Sequence, residues 1–534
     1  MRSMLLLSSL VFVLLAQASS LLAQPSTEIG VEVSQRERLA DGDEFDMPLD
    51  ELLRRGQSVF EAEWTPQEGG GRPAMTGARN PLAAPEDPLV FPRNFNRVSG
   101  RDSNSCSGCH SVPFGDPGGG GAFSAGAFVG AERFDFVSFD HDVTQQGVAS
   151  VDEEGKFVTL PTLGNYRVPP GLAGAGYIEM LSRQITADLQ VIRDNTGAGE
   201  SNELVSKGIS YGVVARGADG SWDVSGVAGL APQSLAGDPP SLAVRPFHQS
   251  GTAVSLREFT VNAMNQHHGM QAVERFGYDQ DPDEDGFTDE LTRAEITATV
   301  LFIATRGAPG QMIPNKMEFE EAIFYGEELF MNLGCAGCHI PQLPLTDGGW
   351  TFTEPNPYNP PEILEVGEAE TYSVDLSSDD LPGVRLKPDN NGAVWVRAFT
   401  DFKLHDITSG PDDPNAEHID INSPGGSAAF FAGNRRFLTR RLWGSANEKP
   451  HFHHGKFMTL REAVEAHSGE AHFSREAFRG LSAQQQAQVI EFLKTLQVLP
   501  SGFTNEITDP AGAHKLGWPP PSIWAWRFIQ GARR

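Results

Sequence analysis

The chain has 534 residues, with 41 Lys and Arg against 70 Asp and Glu, and a formal net charge of −29. That balance excludes nucleic acid and anionic membrane surfaces as natural partners; it suits solubility or a basic redox partner. The length suggests roughly two or three domains, hydrophobic content of 39% is ample for folded cores, and 57 Gly with 37 Pro predict long irregular loops.

Residues 1–23 read as a secretory signal peptide. Met1-Arg2 is a short basic start, Leu5 to Leu15 is mostly apolar, and Ala16-Gln17-Ala18 is a cleavage site, with an alternative cut after Ala23. The apolar run is too short to span a bilayer. No later segment offers the roughly eighteen uninterrupted apolar residues of a span. The expected destination is the periplasm, with no membrane span in the mature chain.

Residues 51–60 form a candidate helix, followed by Cys106-Ser-Gly-Cys109-His110. A second copy, Cys335-Ala-Gly-Cys338-His339, uses the remaining two of the four cysteines. Cys-x-x-Cys-His is the attachment pattern of a c-type haem, in which the thiols form thioethers and the histidine supplies the proximal nitrogen to iron. A bare Cys-x-x-Cys also serves as half a zinc site or as a redox dithiol. Neither role needs a histidine after the second cysteine, and histidine is only 14 of 534 residues. Two covalently bound c-type haems are therefore expected. Attachment after export agrees with the signal peptide.

The expected fold class is mainly α: two cytochrome c-like haem domains with long irregular loops and a few short strands. The first domain spans 24–312 and carries an insertion at about 112–250. Within that insertion, the glycines at 118–121 read as a mobile loop beside the first motif, and Val/Phe-rich runs such as 134–139 read as small strands. Its closing helix is 293–305, opened by a Thr292-x-x-Glu295 capping box. The second domain spans 313–500, with an opening helix at 318–333 and a closing helix at 482–499 under a Ser482-x-x-Gln485 box. The tail, 501–534, is expected to pack back onto the surface.

A haem that transfers electrons has two protein ligands, whereas a catalytic one keeps a displaceable position, so the remaining histidines matter. Thr459 and Glu462 form a capping box, and Leu460, Ala463, Val464 and His467 then share one face, which marks His467 as a distal ligand for the second haem. Ser255 and Glu258 begin a similar helix whose stripe runs Leu256, Phe259, Ala263, His267, Met270. His267 is the candidate distal group for the first haem, with His268 and Met270 as rivals and a purely structural role as the alternative. His405, His453 and His454 are weaker candidates for supporting positions, His141 weaker still, and Met458 reads as core. Asp281, Asp283, Asp285 and Asp289 around Gly286 are spaced like a calcium loop, although Thr292 replaces the closing glutamate.

The two motifs, Asn265 to Gly277, Lys403-Leu-His-Asp406, the Phe437-Leu-Thr-Arg-Arg-Leu-Trp-Gly444 block and the stretch from Phe452 to Ala471 resemble the di-haem oxidoreductase branch of the bacterial di-haem cytochrome c peroxidase superfamily. The resemblance implies that the second haem relays electrons and the first meets hydrogen peroxide. It also implies a small donor protein of cytochrome or cupredoxin type. The superfamily's distal ligand follows a Phe-His-x-Gly element by fourteen residues, which from His453 is His467, where relatives carry methionine or tyrosine. Peroxide cleavage needs a distal acid–base group, for which His268, Glu274 and Glu179 are candidates. Trp443 and Trp395 are candidate electron relays. The alternatives are a non-catalytic electron-transfer cytochrome and an oxidase of a protein or organic substrate.

Overall fold

The computed structural model describes residues 29–71, 105–121, 165, 167–281, 285–423 and 428–518. The expected signal peptide, the 134–139 run, His141 and Asp283 lie outside them.

Two helix pairs of like construction carry the two motifs. Leu49–Glu61 packs on Arg293–Ala304, and Met317–Asn332 packs on Ala483–Lys494. A glycine sits at each crossing. A Cβ on Gly56 would lie 1.9 Å from the carbonyl oxygen of Ala298, and one on Gly326 would lie 1.9 Å from that of Gln488. Backbone therefore meets backbone, at a distance only glycine permits. One turn on, Phe60 meets Phe302 with ring centres 5.5 Å apart, and Phe330 meets Phe492 at 5.4 Å. The same two phenylalanines reach the motif histidines, at 6.3 Å for Phe60–His110 and 6.4 Å for Phe330–His339.

Thr292, Ser482 and Thr459 open their helices with complete capping boxes. Ser255 accepts from the Glu258 N–H, but the Glu258 carboxylate accepts from Val254 N at 2.6 Å, so this box is only half formed. The closing helix expected to reach residue 499 stops at Lys494. Leu496–Gln497 then pairs antiparallel with Gly310–Met312, and Ile507–Thr508 pairs parallel on the other edge. The segment between the helix pairs, the end of the closing helix and the start of the tail thus share one sheet.

The architecture is mixed helix and strand, not mainly α. Among the described residues there are five small sheets of two or three strands. Ser201–Ser206 and Ile209–Arg216 form a hairpin turned by Lys207 and Gly208, with φ of 50° and 79°, the left-handed pair that a two-residue hairpin turn requires. Leu343–Leu345 pairs with Val394–Val396, Thr351–Glu354 with Tyr372–Asp375, and Leu404–Asp406 with Arg436–Leu438. These segments are too short for helical periodicity to register, and they bury one face by pairing instead.

The larger core joins Leu52, Phe60, Tyr177 and Leu301 with Phe352, Leu376, Val394 and Trp443, so it draws on chain from both sides of residue 312. The smaller core holds Ile323, Phe330, Phe399, Phe478 and Phe492. Met270 lies in the larger core, whereas Met458, expected in a core, is 58% exposed. No helix among the described residues is long and apolar enough to cross a membrane.

Candidate functional site

Cys106–Cys109 is a single helical turn capped by Ser105, whose side chain accepts from Gly108 N. Cys335–Gly337 is a tighter turn that follows Gly334, a left-handed residue. All four cysteines are free thiols and half-buried. They do not converge as one four-cysteine metal site; the one cluster of metal-type donors among the described residues is Cys338, Asp401 and His405. Burial pushes the Cys106 thiol up to about 12 and the Cys335 thiol up to about 11, the reverse of what a redox dithiol needs.

Both motifs open onto one continuous cavity of about 1120 Å³, lined by Cys106, Cys109 and His110 at one site and Cys335, Cys338 and His339 at the other. His110 Nδ1 donates to Pro170 O at 3.0 Å and Gly119 O at 3.2 Å; His339 Nδ1 donates to Phe399 O at 3.1 Å. Pinning Nδ1 fixes the tautomer and leaves Nε2 as the lone-pair nitrogen. Burial pushes both imidazoles down to about 4, so they stay neutral. Each motif thus offers two thiols and a neutral, oriented imidazole on a largely apolar wall, the donor set a haem requires. The glycine run at 118–121, expected to be mobile, is instead a tight turn. Val112 and Gly120 exchange backbone hydrogen bonds at 2.8 Å, and a Cβ on Gly119 would strike Val112 O.

At the second site, His467 follows the helix Leu460–Ala466, and its Nδ1 donates to Ala463 O at 2.7 Å. Its ring centre is 6.4 Å from that of His339. Two imidazoles facing each other across one metal, with nitrogens about 2.0–2.1 Å from it, hold their ring centres roughly 6.3 Å apart. A metal held between His339 and His467 would fit that spacing.

At the first site, the helix Leu256–Ala263 runs into a π turn, Met264–His268. The wider turn shifts the register of everything after it. His268, not His267, becomes the more buried, at 1% exposed, with Nε2 3.5 Å from Cys106 Sγ. His267 stays half-buried, and its charge bears on His110. Both line the cavity.

The two glutamates expected near the first haem are elsewhere. Glu274 is bound by Arg257, whose Nη2 donates to Oε2 at 2.6 Å, and Arg257 also reaches Glu354 at 3.1 Å. Glu179 accepts from Arg183, from Asn356 Nδ2 at 2.6 Å and from Leu256 N at 2.7 Å. Neither belongs to the cavity lining. Two buried arginines claim these carboxylates because an unpaired buried charge is far costlier. Three carboxyl groups do line the cavity, Glu258, Glu448 and Glu470. Glu258, on the helix that leads into the π turn, has Oε1 3.4 Å from Arg245 Nη1, and burial raises its pKa against that pairing. Its place in a capping motif masked it in the sequence.

Trp443 is buried in the larger core and Trp395 is 40% exposed, donating to Asp389; neither lines the cavity. His405 bridges Asp401 at 2.8 Å and Glu470 at 2.7 Å beside Cys338. Against burial, its hydrogen bonds to Asp401, Cys338 and Glu470 push it up to about 11, so it is an imidazolium. His453 stacks on Phe437 at 3.8 Å, while His454 Nε2 meets Asn415 Oδ1 at 2.8 Å. In the acidic loop, Asp281 accepts from Asp285 N and Gly286 N, and Asp289 accepts from Asp279 N. Arg440 and Arg441, which also line the cavity, are residues to which the sequence alone assigned no part.

No curated protein matches the chain. Among solved structures, it is similar to the hydrazine synthase of Kuenenia stuttgartiensis, determined under xenon pressure, at 16% identity over 54% of this chain and 78% of that one, with a TM-score of 0.25. It is also similar to a MauG-like protein associated with microbial copper homeostasis, at 16% identity over 67% and 96% of the two chains, with a TM-score of 0.24. Residues 380–496 match the family model described as "Di-haem oxidoreductase, putative peroxidase". That stretch, which is similar to the di-haem oxidoreductase family, supplies Phe399, Asp401, Arg440 and His467.

Proposed function

We propose that the chain is a periplasmic di-haem c-type oxidoreductase of peroxidase type, which reduces hydrogen peroxide with electrons from a small redox protein. The observation that carries this reading is the single cavity shared by two unlike histidine sites. Covalent haem at each motif would supply a store for one electron and, at the first site, a metal centre that polarises peroxide.

The rest falls to the protein. Cys106 and Cys109, and likewise Cys335 and Cys338, hold the two groups as thioethers. The carbonyls of Pro170, Gly119 and Phe399 orient His110 and His339. His467 closes the second site, which suits electron relay. At the first site, the residues on hand come from a π turn, a distortion frequent at functional sites, and His267 and His268 there would be the side chains beside a bound group. Glu258, its pKa raised by burial and lining the cavity, would hold and move a proton at Oε1. A net charge of −29 favours a donor with a basic docking face.

Low-temperature electron paramagnetic resonance of the oxidised and half-reduced protein tests the division of labour. The expected result is a low-spin bis-histidine iron at the second site and a high-spin or convertible iron at the first. Two low-spin irons unmoved by peroxide would overturn it and mark an electron-transfer cytochrome instead. Glu258→Gln is expected to lower peroxide turnover by about 100-fold or more at unchanged haem content.

A further inference from the structure

Arg440 and Arg441 stand between the two motif histidines. The ring of His339 lies within hydrogen-bonding reach of the Arg440 backbone, and the Arg441 charge bears on His110. Both guanidinium groups line the cavity. Arg440 lines the cavity and keeps 45% of its side-chain surface accessible.

Charge does not balance there. Among the cavity's arginines, Arg167 faces Glu417 at 3.6 Å, Arg245 faces Glu258 at 3.4 Å and Arg475 faces Glu476 at 3.0 Å. Arg440 and Arg441 share one carboxylate, Glu448, which is 3.5 Å from Arg440 Nη2. Arg441 otherwise donates from Nη2 to Gly171 O. Two cavity-lining cations against one carboxylate leave a net positive charge that favours an anion. Two neutral donors point the same way. Ser445 Oγ and His451 Nε2 line this cavity at 8% and 7% residue exposure, and neither has a partner among the described residues.

We propose that Arg440 and Arg441 form an anion clamp between the two sites, and that the anions it takes are the propionate carboxylates of the bound porphyrins. This rests on haem occupying the two motifs, as proposed above. A porphyrin held through its thioethers still carries two carboxylates, and enclosing them without cations would be costly. Guanidinium is the cation best suited to meet them, because its planar fork matches a carboxylate with paired hydrogen bonds. Adjacent arginines on one strand of chain can serve both porphyrins, so the clamp also couples the two sites electrostatically.

The test uses the full-length, haem-loaded protein and the variants Arg441→Gln, Arg441→Lys and Arg440→Gln. Haem content is read first, by intact mass and alkaline pyridine spectra. Wild-type protein without covalent haem would defeat the functional reading itself. In haem-replete protein, the propionate bending bands in resonance Raman spectra and the midpoint potentials report on the clamp. Arg441→Gln is expected to shift the bands and to disfavour the reduced state about tenfold, a fall of about 59 mV for one electron. Arg441→Lys keeps the charge but loses the fork, so its bands shift while most of the potential is retained; because it preserves charge and length, it also serves if the glutamine variants fail to fold. Propionate bands unchanged in all haem-replete variants would overturn the clamp, even if the potentials fell, since a distant charge alone produces that pattern.

Discussion

At the scale of single residues, what matters is which ring nitrogen each histidine presents. His110, His339 and His467 all spend Nδ1 on a backbone carbonyl, which leaves Nε2 as the lone-pair nitrogen, and all three line the cavity. On the proposed reading, His467 would set the potential of the second site. Substituting His467→Met is expected to raise the midpoint potential of the second haem, because a thioether stabilises reduced iron relative to imidazole. His467→Ala should instead open that site to carbon monoxide. Spectroelectrochemistry and carbon monoxide difference spectra read the two outcomes, and a potential unchanged in His467→Met would remove His467 from the iron.

At the scale of elements, the two helix crossings are the joints that position the motifs. Gly56 and Gly326 let backbones touch, and Phe60 and Phe330, one turn on, pack against the two motif histidines. A methyl group at residue 326 has no room, so the helices must separate. Gly326→Ala is therefore expected to cost about 1–3 kcal/mol or more, a fall of several degrees in Tm by calorimetry, with a disturbed second-site spectrum. A normal Tm would show that the crossing yields freely. The paired helices, their capping boxes and the His467 face were legible in the sequence, because each depends on residues three to seven apart. The π turn was not. Met264 and Asn265 within it are fully buried, and it leaves His268 rather than His267 the more buried of the pair.

At the scale of the molecule, burial of neutral histidines links stability to pH. Burial pushes His451 down to about 4 and His454 down to about 3 from an ordinary 6.5. Both are neutral when folded and free to take a proton when unfolded. Their contribution is complete above about pH 6.5 and is lost as pH falls towards 4, at about 1.4 kcal/mol per unit of separation. His405 runs the other way: it is already charged when folded, so its contribution is full below 6.5 and is lost progressively as pH rises towards about 11. Tm should therefore fall steadily from pH 7 to 4.5, and His454→Gln should flatten that slope. An equal slope in the variant would show that other groups govern acid unfolding.

Short-range spacing determined a good deal by itself: two Cys-x-x-Cys-His motifs, the helices flanking them and a histidine on the inner face of the 460s helix. Those features are set by neighbours in the chain, so local physics suffices. The sequence could not reveal that both motifs share one cavity, that Glu179 and Glu274 are claimed by Arg183 and Arg257 while Glu258 faces the cavity, or that Arg440 and Arg441 stand between the sites. Each of these depends on which charges and backbones meet across long stretches of chain, and only tertiary packing decides the pairing of a buried charge.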